Sequence, residues 1–419
     1  MRIAPKMMLC LAAGISAVTV NAQVLAPLGR TLDSVGGTVG GLTDTVIDPV
    51  TDSAGSLVSD VRRLAADRVS RLSALVRQNR DALERDDRGD PAVRGEILGI
   101  DIDASSIARA REAGFSLLGE DEIEGLGVRS VRLAAPADMS LARALRTIRR
   151  VAPGEWTSNQ LHFKSGYAAP ALDTPAADRS APSARLGMID GGIGRHPSLS
   201  GPIEQRGFAK GAPTSSPHGT AIASLMVGRD SFRGVLPGAP LLAADVYGDD
   251  PAGGNALAIA RAIGWMAKRG ARVVTISLVG PANPLLARVI AAARARGMVI
   301  VAAVGNDGPA APPAYPASYP GVIAVTGVDG RNRALIEAGR ALHLDYAAPG
   351  ADMMGAKAGG GVTRLRGTSY AAPLVAARLA AMSAPSTKTL DREAVDLGKS
   401  GPDKIYGRGL ICGDCRTRP

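Results

Sequence analysis

Three short runs place an acid, a base and a nucleophile beside glycines where the apolar pattern breaks. Asp190 closes the apolar stretch 186–189 and is followed by Gly191-Gly192-Ile193. His218-Gly219-Thr220 opens one apolar helical pattern, and Gly367-Thr368-Ser369 opens another. A serine hydroxyl attacks a carbonyl poorly unless a base takes its proton, and an imidazole serves best when a carboxylate fixes its tautomer and stabilises its cation. Asp190, His218 and Ser369 are the residue types those three roles need. A fourth run, Gly305-Asn306-Asp307-Gly308, follows the apolar stretch 298–304. The Asn306 amide there could donate to an oxyanion as its charge develops. Each run also has a plainer use, because Asp before Gly-Gly shapes turns, Ser or Thr before a helix caps it, and a lone His fills structural positions.

Groups of this kind need a stiff support. Between 184 and 415, short apolar runs (186–189, 240–247, 272–278, 298–304, 322–328) alternate with Ala-rich helical patterns (218–228, 255–270, 283–297, 368–382). Continuous apolar strands alternating with helices predict an α/β fold, a doubly wound and mostly parallel sheet covered on both faces. In such sheets functional groups collect at the carboxyl ends of strands. Pro373 falls in the first turn of the last helix, where its missing N–H is tolerated. Upstream, 95–164 reads β-α-β-β-α-β, with strands at 95–102, 115–119, 128–135 and 160–163 and helices at 105–114 and 139–154. That order is the one of a small α+β ferredoxin-like sandwich.

Composition bounds what else the chain is. Its 419 residues exceed what one hydrophobic core normally serves. With Phe 4, Trp 2 and Tyr 7, the interior must be built from Ala, Val, Leu and Ile. Three cysteines, Cys10, Cys412 and Cys415, allow neither a disulfide scaffold nor a two-knuckle zinc site. The net charge of +10 is dispersed and few aromatics accompany it, which argues against a nucleic-acid partner. At the N-terminus, Arg2 and Lys6 precede an apolar run ending in Val20-Asn21-Ala22, the pattern of a signal peptide over 1–22 and of a secreted or periplasmic product. No later stretch is long and apolar enough to span a membrane. Residues 23–94 read as a flexible leader followed by a basic amphipathic helix at 57–83. A Pro-, Ala- and Ser-rich linker over 165–183 leads to a last domain at 184–419.

Taken together, MIDGGIG around Asp190, HGTAIAS at His218, ISLVGP at 276–281, AAVGNDG around Asn306 and GTSYAAPLVAA around Ser369 resemble the subtilisin-like serine proteases, the subtilases, over 184–412. The order Asp, His, Ser agrees with that family. The resemblance implies a serine endopeptidase that hydrolyses peptide bonds through an acyl-enzyme on Ser369. His218 would be the base, Asp190 its orienting acid, and Asn306 an oxyanion donor. Ser277, Leu278 and Val279 would pair with an extended protein or peptide substrate, and Ala303, Val304 and Gly305 would line its first specificity pocket. A non-catalytic binding or chaperone-like protein on the same fold is the alternative.

The chain departs from the family at three places. Gly191 stands where Ser or Thr is usual, Val279 where Gly is common, which should narrow the pocket, and Tyr370 where Met is usual. By the same resemblance the unit at 95–164 is a prodomain, an intramolecular inhibitor and folding helper, cut away by the enzyme itself between about 163 and 184. Calcium is common in the family, but its ligands are not assignable from this sequence, and no other metal or cofactor is implied. Cys412 and Cys415 have the C-x-x-C spacing of thiol oxidoreductases, but in an exported protein without the βαβ context a short-loop disulfide pinning the tail is the expectation.

Overall fold

A computed structural model describes residues 51–165, 186–230 and 232–416. The signal-peptide reading of 1–22, most of the leader and the linker beyond Ser165 lie outside the described residues. The structure begins with helix α1 (Thr51–Gln78) and the short strand β1 (Leu83–Arg85). The helical pattern expected over 57–83 therefore stops early. The Asn79 amide bonds the Leu75 carbonyl in place of a further turn, and Leu83 pairs in a strand.

Strands β2 (Pro91–Ile100), β3 (Ser116–Ile123), β4 (Val128–Ala134) and β5 (Glu155–Gln160) form an antiparallel sheet in the order β5-β2-β4-β3, with β1 beside the first half of β2. Helices α2 (Ala104–Glu112) and α3 (Leu141–Val151) start where Asp103 and Ser140 accept backbone N–H bonds, as capping requires. The sheet alternates its side chains, so it has two apolar faces to bury. Ile97, Val131 and Leu133 pack with Leu145 and Ile148 of α3, whereas Leu98, Ile100, Ile123 and Val128 belong to the core of the larger unit. The last strand expected at 160–163 lies earlier, at 155–160, and the chain then leaves the sheet as β6 (Phe163–Lys164).

The larger unit is a seven-stranded parallel sheet built from β7 (Leu186–Asp190), β8 (Ile203–Gly207), β9 (Leu241–Asp245), β10 (Val273–Ile276), β12 (Val299–Ala303), β13 (Ile323–Val328) and β14 (Tyr346–Pro349), in the order β14-β13-β12-β10-β7-β9-β8. The short strand β11 (Leu278–Val279) follows β10 but stays outside this sheet. Helices α4 (Pro217–Val227) and α7 (Ala371–Ala380) cover one face. The other is covered by α5 (Ala256–Lys268) and α6 (Pro284–Ala295), against which the N-terminal sheet rests. A hairpin of β15 (Ala351–Ala356) and β16 (Val362–Arg366) and a final helix α8 (Thr387–Glu393) complete the chain. Because β7 is flanked by β9 on one side and β10 on the other, the winding reverses there, and a crevice opens at its carboxyl end. No helix among the described residues is long and apolar enough to cross a membrane.

Candidate active site

Asp190 is the last residue of β7, at that crevice, and it is wholly buried. Both of its carboxylate oxygens lie 2.9 Å from His218 Nδ1, and its Oδ1 also accepts the Gly191 N–H at 2.7 Å. The histidine sits in the first turn of α4, set by Ser216 as N-cap and Pro217 at the first helical position. A carboxylate facing Nδ1 fixes the proton on that nitrogen, so Nε2 is left as an acceptor. It lies 2.9 Å from Ser369 Oγ. Ser369 is held in the 3-10 turn Thr368–Tyr370 that leads into α7, behind Gly367 with φ 143°, a conformation other residues rarely adopt.

Asn306 follows β12. Its Oδ1 accepts the Thr368 N–H at 2.9 Å, which turns its Nδ2 toward the crevice. There Nδ2 donates to the Ser165 carbonyl oxygen, and that oxygen also accepts the Ser369 N–H at 3.1 Å. The carbonyl oxygen thus stands between two donors, beside a Ser369 hydroxyl already bonded to His218 Nε2.

The chain before Ser165 lies extended along the crevice. Lys164 pairs with Leu278 and Phe163 with Val279 in an antiparallel ladder between β6 and β11, and the Ser165 N–H donates to the Ser277 carbonyl at 3.3 Å. Further back, the His162 N–H donates to the Gly254 carbonyl at 2.8 Å, and the Tyr247 hydroxyl donates to the His162 carbonyl at 2.8 Å. Backbone pairing of this kind holds any extended peptide regardless of sequence.

The residues singled out at 277–279 and 303–306 therefore meet at one site with Asp190, His218 and Ser369. Ser277 also donates its hydroxyl to the Ser369 carbonyl at 2.9 Å. Ala303 and Val304 are buried at the end of β12. Gly305 has φ 90°, and a Cβ there would come within 3.3 Å of the Val279 side chain, so Val279 closes over this glycine. His196 bonds Ser198 and the Gly361 carbonyl, away from the nucleophile. Cys412 and Cys415 are joined as a disulfide beside α7 and α8 and take no part in the site.

Sequence reasoning assigned no role to three contributors. Thr368 orients Asn306, and its hydroxyl bonds both the N–H and the carbonyl of Gly305 at 3.1 Å. Tyr370 packs its ring 5.2 Å from that of His218. Tyr247 reaches the crevice from the end of β9. Thr368 and Tyr370 stand in the run around Ser369, and Tyr247 closes the apolar run 240–247, at the kind of strand end where functional groups collect. Burial, with the Asp190 charge adding to it, pushes the Tyr370 phenol well above its ordinary range.

Among the described residues, the one cluster of three carboxylate, histidine or cysteine ligands is Cys412, Asp414 and Cys415, two of which form the disulfide. The donor set does not suit calcium, which takes oxygen ligands.

A model of the subtilase family matches residues 183–409. Subtilisin BL from Lederbergia lenta is 32% identical over 252 residues, covering 56% of this chain and 90% of its own. Subtilisin E from Bacillus subtilis (strain 168) is 32% identical over 266 residues, 58% of this chain and 67% of its own. The crystal structure of fervidolysin from Fervidobacterium pennivorans, a keratinolytic enzyme related to subtilisin, has the same fold with a TM-score of 0.62 at 20% identity. That likeness covers 77% of this chain and 61% of the other.

Proposed function

The chain belongs to the subtilase family and is a serine-type endopeptidase, and we propose that it is exported as a precursor that cuts itself at the Ser165–Gly166 bond. In this reading residues 95–164 are a ferredoxin-like prodomain, the intramolecular inhibitor of the domain at 184–419, and the triad is Asp190, His218 and Ser369. The observation that carries it is the Ser165 carbonyl oxygen, bonded by both Asn306 and the Ser369 N–H.

The chemistry follows from that placement. Ser369 Oγ forms a bond to the Ser165 carbonyl carbon while its proton passes to His218 Nε2, and the negative oxygen is held by Asn306 and the Ser369 N–H. The imidazolium, stabilised by Asp190, returns the proton to the Gly166 nitrogen as the C–N bond breaks. Water, deprotonated by the same imidazole, then releases the acyl group and restores Ser369. The prodomain tail, still paired with β11, stays as a product-like inhibitor. The same steps on other extended chains constitute the peptidase activity.

The test is intact-mass analysis of the purified precursor, with fluorophosphonate labelling of the protein after the N-terminal segment has been removed. Label on Ser369 and a new N-terminus at Gly166, both absent in Ser369→Ala, are expected. Cleavage that persists in Ser369→Ala would overturn the autocatalytic reading, and an unlabelled wild-type protein would favour the non-catalytic alternative.

A further inference from the structure

The residue before Ser165 is Lys164, and its ammonium enters a pocket of its own. Nζ donates to Ser216 Oγ at 3.1 Å and lies 4.4 Å from the centre of the Tyr247 ring, a cation–π distance. Room for it comes from Gly191. A Cβ at that position would stand 2.9 Å from Lys164 Nζ and 2.6 Å from the Ser216 Cβ, so any side chain there would displace one or the other. Two buried carboxylates stand behind the Tyr247 ring, those of Asp190 and Asp245, register partners at the ends of β7 and β9. Burial first, and then the charges of these two carboxylates, holds the Tyr247 phenol well above its ordinary range. Asp245 is fixed in that position by the Thr214, Tyr247 and Gly248 N–H groups.

We propose that this pocket makes the enzyme selective for polypeptides carrying lysine one residue before the residue whose carbonyl is attacked, with Gly191, Ser216 and Tyr247 as the determinants. The inference rests on the peptidase reading and deepens it by naming a substrate class. An aromatic face and a hydroxyl acceptor, with two carboxylates behind the ring, suit an ammonium. A neutral stem of the same length would fill the space but leave the hydroxyl and the ring without their partner. An acidic side chain would meet the field of the two carboxylates and be repelled.

The experiment uses mature enzyme and fluorogenic peptides ending in His-Phe-Lys-Ser before the cleaved bond, with the lysine kept or replaced by norleucine or glutamate. The quantity read is the ratio of kcat/KM values within one enzyme, which is insensitive to how much of a variant folds. The expected preference for lysine over norleucine is about tenfold. It falls toward one in Gly191→Ser, which fills the space, and in Tyr247→Leu, which removes the ring, and glutamate is the poorest substrate throughout. A wild-type enzyme that cuts the lysine and norleucine peptides at equal rates overturns the inference alone, as does a preference that survives both substitutions. A protein that cuts none of the peptides and takes no fluorophosphonate overturns the peptidase reading, and this inference with it.

Discussion

The carbonyl oxygen of Ser165 lies 3.1 Å from the backbone nitrogen of Ser369 and accepts its hydrogen bond, so the tail of the N-terminal unit lies against the turn that carries the Ser369 hydroxyl. The first prediction follows from that contact. Ser369→Ala precursor should remain one chain, while wild type yields a fragment ending at Ser165. A major cut more than a few residues away, read by intact mass, would mean that the contact is not the one that reacts.

Asn306→Ala removes one of the two donors on that oxygen while Thr368 and Gly305 keep their mutual bonds. Loss of one such donor in subtilisin-type enzymes costs about 10²–10³ in kcat. The same drop, with KM changed about twofold or less, is expected here in steady-state peptide hydrolysis. A loss confined to KM would assign Asn306 to ground-state binding instead.

His162 predicts how the bound tail responds to acid. Burial pushes its imidazole from the ordinary 6.5 down to about 4, against the weaker opposing pull of the Gln160 and Pro281 backbone. Above pH 6.5 the ring is neutral whether the tail is docked or free, and docking has its full strength. Between 6.5 and about 4 the free tail binds a proton that the docked tail refuses. Docking then weakens by up to about tenfold per pH unit, on the order of 3 kcal/mol in all. The inhibition constant of the isolated 51–165 fragment, measured over that range, should rise as pH falls, and His162→Leu should flatten the profile. A constant that does not move in wild type would exclude His162 as its cause.

Tyr370 carries a buried hydroxyl with no hydrogen-bond partner among the described residues. A buried donor left unpaired costs stability, so Tyr370→Phe in the Ser369→Ala background should be neutral or stabilising by up to about 1 kcal/mol. Urea unfolding reads this. A clear destabilisation would show that the hydroxyl has a function the ring alone does not supply.

How far the sequence carried this reading depends on what each segment hides. The central strands β7, β10, β12 and β13 stood out because strands buried on both faces are unbroken apolar runs. Strand β8 did not, since as the sheet's edge it carries Glu204 and Arg206. Asp190, His218 and Ser369 were legible because each stands at an element's end, where chain order and glycine placement mark it. Leu161 to Phe163 read as the end of a strand and Ser165 as the start of a linker, yet they serve the crevice. Only the ladder with β11, made by a segment distant in sequence, reveals that. Gly191 was visible as a departure from the family, but its meaning depended on Tyr247 and Lys164 arriving from elsewhere. The sequence made α1 only a basic amphipathic helix, with no sign of what its arginines meet. Two of them, Arg68 and Arg71, pair with Asp307, next to Asn306.

That last pairing bears on what the proposed cleavage at Ser165 would accomplish. The N-terminal segment grips the larger unit at three separated places: α1 on the loop at 307–310, the sheet on α5 and α6, and the tail in the crevice. Such a ligand is multivalent, and each foothold that lets go rebinds at the high effective concentration set by the other two. Cutting one peptide bond severs the covalent link but leaves the avidity intact. Under the proposed cleavage, full release would require a later cut within the segment itself, which would turn one tenacious ligand into pieces that each bind weakly.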